Sequence, residues 1–127
     1  MNDCSAKGNN AKWSKLKETT QRLFVCEGLT TIGGGAFNSF TILSSITLPE
    51  GIVSIGVSAF EGCVSLESVT FQSYVYFVQR GAFSRCGKLS SINLELVLLI
   101  NKSAFEGTSV SIPSVQLIDA EFLLEIG

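Results

Sequence analysis

IGVSAFEGCVSLESVTF, residues 55–71, is the stretch that decides the fold, because altered copies of it recur along the chain. The pair Ala-Phe stands at residues 36–37, 59–60, 82–83 and 104–105, so its copies follow one another at a nearly constant step. Other apolar positions keep the same step, for example Ile46, Val69 and Ile92, each nine residues after a phenylalanine. Self-similarity with a period of this size is the signature of a repeat protein, in which each unit stacks on its neighbours.

Each repeat contains short extended pieces and one tight turn. Residues 43–48 end in strict alternation, with Ile46 and Leu48 on one face and polar residues between them, which is typical of a strand buried on one side. The small residue before each Ala-Phe pair suits the N-cap of a single helical turn. Such a unit cannot bury its apolar face alone. The repeats therefore predict a β-rich solenoid of stacked coils, with one short helical turn per repeat of about 23 residues.

Stacking places equivalent residues of successive coils in ladders. We expect Phe37, Phe60, Phe83 and Phe105 to lie one above another in the core. Cys63 and Cys86 also occupy one repeat position, and adjacent coils would hold their Cα atoms about 5 Å apart, within the range that a disulfide accepts. Buried free thiols that fill the core are the favoured alternative. The glycines at 33–35 fall in the turn of the repeat and lack the pattern of a phosphate-binding loop.

The repeats resemble the BspA-like class of leucine-rich repeats, whose pattern is close to I-G-x-x-A-F-x-x-C-x-x-L-x-x-I-x-L-P-x-x-V. Residues 55–71 follow this pattern nearly residue for residue, and residues 32–52 follow it with Phe40 in place of the cysteine. The resemblance covers about residues 13–122 and implies a leucine-rich-repeat solenoid. It also implies a surface or secreted protein that adheres to other proteins, cells or matrix. No catalytic residues belong to the pattern.

The repeat boundaries predict a polar, basic N-terminal tail over residues 1–12 and a single leucine-rich-repeat domain over residues 13–127. Within the domain we expect a leading coil at 13–28, repeats at about 29–51, 52–74, 75–96 and 97–114, and a degenerate terminal coil at 115–127. After Phe105 the spacing collapses, because Val110 and Ile112 match Ile46 and Leu48 with four residues missing. An uncapped last coil would let the chain associate with itself through this C-terminal edge.

The composition excludes several classes of function. The chain has 127 residues, a formal net charge of -2 and no histidine. The missing histidine removes the commonest general base and the commonest zinc ligand, so we expect no enzyme, no metal site and no cofactor. The net charge argues against binding to nucleic acid. The most apolar run, residues 94–100, is far shorter than the ~20 residues that span a bilayer, so we expect no membrane insertion.

Two surfaces are candidates for binding a protein partner. The first is the outward face of the strands, where two columns of small polar residues also have a purely structural explanation as sheet-stabilising pairs. The second is an aromatic flank, where large side chains replace the small residues of other repeats and a rearranged coil that buries them is the alternative. The strand face comprises Ser45, Thr47, Ser68, Thr70, Ser91 and Asn93, and the aromatic flank comprises Tyr74, Tyr76 and Phe77.

Residues 101–103 form a glycosylation sequon, Asn-Lys-Ser, in a turn that we expect to be exposed at Asn101. The leading functional hypothesis is a non-enzymatic protein-binding module that takes part in adhesion at a cell surface. The alternatives are an intracellular protein-interaction scaffold, favoured because no signal peptide is visible, and a truncated remnant of a longer repeat array. The resemblance favours a cell-surface or secreted location.

Overall fold

The computed structural model describes residues 22–25, 28–113 and 117–118, and in these ranges the chain forms nine short β-strands. Their bounds are β1 Arg22–Phe24, β2 Thr31–Ile32, β3 Ser45–Thr47, β4 Ser54–Ile55, β5 Ser68–Thr70, β6 Val75–Val78, β7 Ser91–Ile92, β8 Val97–Asn101 and β9 Leu117–Ile118. One 3-10 helix, Leu94–Leu96, lies between β7 and β8. The predicted tail at 1–12, the terminal coil at 115–127 apart from β9, and the leading coil before β1 lie outside the described residues.

The strands alternate along the chain between two parallel sheets. The first sheet has the order β1-β3-β5-β7, and the second has the order β2-β4-β6-β8-β9. Strands pair with the strand of the next repeat in the predicted register, so that Ile46 lies opposite Val69 and Ile55 lies opposite Val78. The chain is therefore the expected leucine-rich-repeat solenoid, in which successive coils add strands to the same two walls.

The Ala-Phe segments form a third wall of hydrogen-bonded turns. The N–H groups of Phe37, Phe60 and Phe83 each donate to the alanine carbonyl of the next coil, with N···O distances of 2.7, 2.7 and 2.8 Å along the stack. Bonds between residues three apart, such as Ala59 N–H to the Gly56 carbonyl, give these turns a 3-10-like character. The expected helical turn of each coil thus takes the form of a tight turn that is bonded to its neighbours.

In the first three repeats, the small residue before the Ala-Phe pair has a backbone role that differs from the predicted cap. Gly35, Ser58 and Gly81 have φ values of 68°, 56° and 65°, which lie in the left-handed region, whereas an N-cap residue is extended. Glycine adopts this conformation without steric cost, and the serine Cβ makes it less favourable. A tight turn, rather than a side-chain cap, therefore explains why small residues recur here.

The core is built around the predicted phenylalanine ladder. The ring centroids of Phe37, Phe60, Phe83 and Phe105 are 5.2, 5.1 and 5.2 Å apart in succession, and the rings are stacked within 17° of parallel. The Phe40 ring meets Phe37 edge-on at 5.3 Å, at the repeat position that cysteine fills in the next two coils. The ladder confirms the expected stacking. The inward apolar residues of both sheets pack against it in one continuous core.

Candidate protein-binding surfaces

The polar strand face lies on the outer side of the first sheet. The strand register aligns Ser45, Ser68 and Ser91 in one column and pairs Thr47 with Thr70 in the next. These five side chains are half-buried or exposed, and none of them is charged. The structure therefore brings together five of the six predicted residues as a flat, hydroxyl-rich surface.

Asn93, the sixth residue, makes contacts that the sequence does not predict. Its side-chain amide accepts a hydrogen bond from the Phe71 N–H at 2.9 Å and donates one to the Phe71 carbonyl at 2.8 Å. The strand β7 ends at Ile92, and the 3-10 helix Leu94–Leu96 follows, so the Asn93 backbone does not continue the ladder. Its side chain instead supplies the donor and the acceptor that a further strand residue would offer. The Asn93 side-chain amide is therefore already hydrogen-bonded within the solenoid, and it lies at the end of the polar strand face.

The aromatic flank lies along the second sheet and on the connection that leads into it. Tyr76 in β6 is 51% exposed, and Tyr74 in the preceding connection is 67% exposed. The register of β6 with β8 places Tyr76 opposite Leu98, and the Tyr76 N–H donates to the Val53 carbonyl at 2.9 Å. Val53 and Leu98 are each about half exposed. Together they form an exposed apolar column across three coils.

Phe77, by contrast, is only 9% exposed. Tyr76 is exposed, whereas its successors Phe77 and Val78 are both buried, so the Phe77 ring presents little surface to a partner. Val53 and Leu98, which the sequence analysis did not include among the site residues, take its place. The repeat period could have identified Val53 and Leu98, because each of them stands one repeat away from Tyr76 along the chain. The aromatic flank of the folded chain therefore consists of Val53, Tyr74, Tyr76 and Leu98.

Asn101 of the glycosylation sequon is not exposed, and the expectation that it would be is wrong. It is the last residue of β8, and its side chain is 3% exposed. Its Oδ1 accepts hydrogen bonds from the Ser103 N–H at 2.9 Å and from the Ser103 hydroxyl at 2.7 Å. The same Asn-x-Ser spacing that forms the sequon thus closes a local turn, and the folded chain does not present this amide to solvent.

Cys63 and Cys86 are free thiols buried in the core. The Cys63 Sγ donates to the Phe37 carbonyl at 3.2 Å, and the Cys86 Sγ donates to the Phe60 carbonyl at 3.1 Å. The neighbouring Cys63 thiol and burial raise the pKa of the Cys86 thiol far above its usual range. The pair therefore follows the favoured alternative, two buried free thiols, and not the disulfide. Cys4 and Cys26 lie outside the described residues.

Two further properties of the described residues concern ligands and membranes. No group of three or more histidine, cysteine, aspartate or glutamate side chains lies close enough to hold a metal ion within the ranges that the structure covers. In the same ranges, no helix has the length and apolar character needed to cross a bilayer.

Comparison with known proteins accords with this architecture. The sequence matches the family described as BspA type leucine rich repeat region, with 6 copies over residues 13–121. The chain belongs to this family. Members of leucine-rich-repeat families are typically non-catalytic modules for protein interaction. A search of curated proteins finds no match.

One solved structure resembles this BspA-type repeat chain over most of its length. It is the crystal structure of a leucine rich cell surface protein from Faecalibacterium prausnitzii A2-165, with a TM-score of 0.50 and 24% sequence identity. The similarity covers 75% of this chain and 34% of that protein, so the chain spans about a third of its neighbour's length. At this identity the likeness concerns the fold alone.

Proposed function

We propose that this BspA-type repeat chain is a non-enzymatic module that binds a protein partner at a cell surface, and that the aromatic flank carries the contact. The observation that carries the proposal is the pair of exposed tyrosines, Tyr74 and Tyr76, beside two further exposed apolar side chains. Tyrosine is enriched among the residues that dominate binding energy at protein interfaces. Contiguous exposed apolar groups on a folded domain are typical of interaction surfaces.

The rigidity of the flank supports this role. Tyr76 and Leu98 stand on paired parallel strands, and the Tyr76 backbone is bonded to Val53. A partner therefore meets a preformed surface, and the flank loses little conformational freedom when the partner binds. Tyr74 stands in the connection from the first sheet to β6, four residues after Thr70, the last residue of β5.

Location at a cell surface and a role in adhesion are parts of the same proposal. They draw support from the family to which the chain belongs and from the cell-surface protein that shares its fold.

A binding screen with matched variants tests the proposal. The purified chain is immobilised and exposed to a panel of extracellular matrix proteins, and retained partners are then titrated against variants. Tyr76→Ser should weaken binding by about tenfold or more, which corresponds to about 1.4 kcal/mol. Val64→Ser is the control, because Val64 is equally exposed but lies in the turn after Cys63, away from the flank.

The outcomes discriminate between the surfaces. Unchanged binding by Tyr76→Ser, with loss in the double variant Thr47→Lys and Thr70→Lys, would move the contact to the polar strand face. Equal losses in Tyr76→Ser and Val64→Ser would indicate non-specific apolar adsorption. A chain that retains no matrix protein but retains partners from a cell lysate would contradict the cell-surface location.

A further inference from the structure

Three neighbouring connections carry the chain from the first sheet to the second sheet. They are residues 48–53, 71–74 and 93–96. The Gln72 side-chain amide donates to the Leu48 carbonyl at 2.9 Å, and the Gly51 N–H donates to the Ser73 hydroxyl at 3.1 Å. The connection that holds Tyr74 is therefore packed beside the first of the three.

The third connection lies on the other side of Tyr74. The Phe71 N–H donates to the Asn93 Oδ1 at 2.9 Å, at the start of both segments. Val75 pairs with Val97 just beyond their ends. Because contacts hold both ends, the second and third connections run alongside each other, and Tyr74 lies in the middle one of the three.

The two outer connections each contribute one exposed carboxylate. These are Glu50 and Glu95, which we call the acidic rim. The three connections contain no basic residue. Within the described residues, neither glutamate of the acidic rim forms an ion pair. Tyr74 therefore has a coil with an exposed negative charge on either side, and no described residue neutralises these charges.

The basic residues of the solenoid lie elsewhere. Between residues 28 and 113 they all follow β6 or β8, on the segments that return the chain from the second sheet to the first, and they are Arg80, Arg85, Lys88 and Lys102. The acidic rim instead precedes the strands of the second sheet, so the two charge types stand at opposite ends of these strands. Arg85 is already paired with Glu61 at 3.1 Å. The acidic rim is thus open to a cation from another molecule.

We propose that the aromatic flank receives an arginine-bearing segment of its protein partner, whose guanidinium groups stack on Tyr74 and pair with the acidic rim. The inference rests on the proposed function and names the chemistry of the partner. A guanidinium is attracted to the face of an aromatic ring, and its planar fork also matches a carboxylate. Tyr74 is 67% exposed, which leaves its ring accessible. The local negative charge selects a basic partner over an acidic one.

The spacing of the coils specifies the segment further. Adjacent coils lie about 4.8 Å apart, so the backbones at Glu50 and Glu95, two coils apart, are separated by about 10 Å. The apolar column of Val53, Tyr76 and Leu98 crosses the same three coils beside this line. Two arginines three residues apart in an extended segment also span about 10 Å. A segment with this spacing and with apolar residues between the arginines matches both rows.

A matched pair of peptides tests the inference on the full chain. The probe is the acetylated, amidated peptide Ser-Arg-Leu-Val-Arg-Ser, and in the control peptide citrulline replaces both arginines, which removes the charges and keeps the shape. Titration into ¹⁵N-labelled protein should shift the amide resonances of Glu50, Tyr74 and Glu95. The arginine peptide should bind about three- to tenfold more tightly than the citrulline peptide. This difference should shrink as salt is added, because the charges are exposed.

Isosteric variants of the protein separate the contribution of the charges from that of the ring. The double variant Glu50→Gln and Glu95→Gln should lower the affinity for the arginine peptide about three- to tenfold. Glu67→Gln, the same change at an exposed position before β5, should leave the affinity unaltered. Tyr74→Ser should lower it about two- to fivefold, whereas Tyr74→Phe, which keeps the ring, should change it by less than about twofold.

Each contrary outcome is distinct. Absence of resonance shifts, equal binding of the two peptides, full affinity in Tyr74→Ser, or an effect of Glu67→Gln as large as that of the double variant would overturn the inference. The matrix protein retained in the binding screen separates it from the proposed function. If Tyr76→Ser weakens binding of that protein and the double variant does not, the proposed function stands and the arginine contact is wrong. If the peptides behave as expected but no matrix protein is retained, the arginine contact stands and the cell-surface partner is wrong.

Discussion

Replacing Phe60 by alanine removes the centre of the phenylalanine ladder and should destabilise the whole solenoid. The ring is fully buried and stacks on Phe37 at 5.2 Å and on Phe83 at 5.1 Å. Truncating a buried phenylalanine to alanine costs about 3–5 kcal/mol through lost transfer energy and the cavity left behind. Each aromatic pair adds about 0.5–1.5 kcal/mol beyond burial. Because two pairs are lost, we expect a cost near the upper end, about 5 kcal/mol.

Phe105→Ala provides the matched comparison. Within the described residues its ring stacks on Phe83 alone, at 5.2 Å, so the variant loses one aromatic pair instead of two. We expect it to cost about 1 kcal/mol less than Phe60→Ala. Urea unfolding followed by far-ultraviolet circular dichroism measures both values. A loss under about 1 kcal/mol for Phe60→Ala, or a larger loss for Phe105→Ala, would refute the reasoning from the ladder.

Three further predictions concern the turns, the polar contacts and the thiols. Gly56→Ala should destabilise by about 1–3 kcal/mol in thermal or urea melts, because its Cβ would lie 2.7 Å from backbone atoms of the preceding coil, while Gly87→Ala, with nothing within 4 Å, should change stability by less than about 0.5 kcal/mol. Asn93→Asp should cost about 1–3 kcal/mol in the same assay, since a carboxylate cannot donate to the Phe71 carbonyl, and a neutral effect would contradict the bonding described. Stability should fall above about pH 8.5, where the unfolded chain releases a thiol proton that the folded chain retains on Cys86, whose pKa is raised. Cys86→Ala should flatten this decline in urea melts between about pH 7 and 10, and an unchanged slope would exclude the thiol as its cause.

Much of the fold is readable from the sequence because a solenoid is nearly one-dimensional. Each coil contacts its neighbours at equivalent positions, so the repeat period directly gives the partner of a residue in the next coil. The pairing of Ser45 with Ser68 and the stacking of Phe60 on Phe83 both follow from this arithmetic. The same arithmetic brings Val53 and Leu98 beside Tyr76.

Side-chain direction in the irregular parts of the coils was not readable in this way. Periodicity placed Tyr76 and Phe77 in one aromatic cluster, but the structure exposes Tyr76 and buries Phe77, which pairs with Ser54 on one side and Leu99 on the other. The turn before Ala104 was expected to expose Asn101, yet the local hydrogen bonds to Ser103 turn its amide inward. These outcomes depend on backbone angles that a repeat pattern does not encode.

The sequence by itself determined the period, the solenoid and the core ladders, because identical apolar positions can be buried together only if the coils stack. The tertiary structure alone decided which positions remain accessible. It set Asn93 against the Phe71 backbone and left the tyrosines of the aromatic flank in solvent. The physical reason is that, at positions that depart from the repeat, burial and backbone pairing depend on the local path of the backbone. Several such paths satisfy the same apolar pattern.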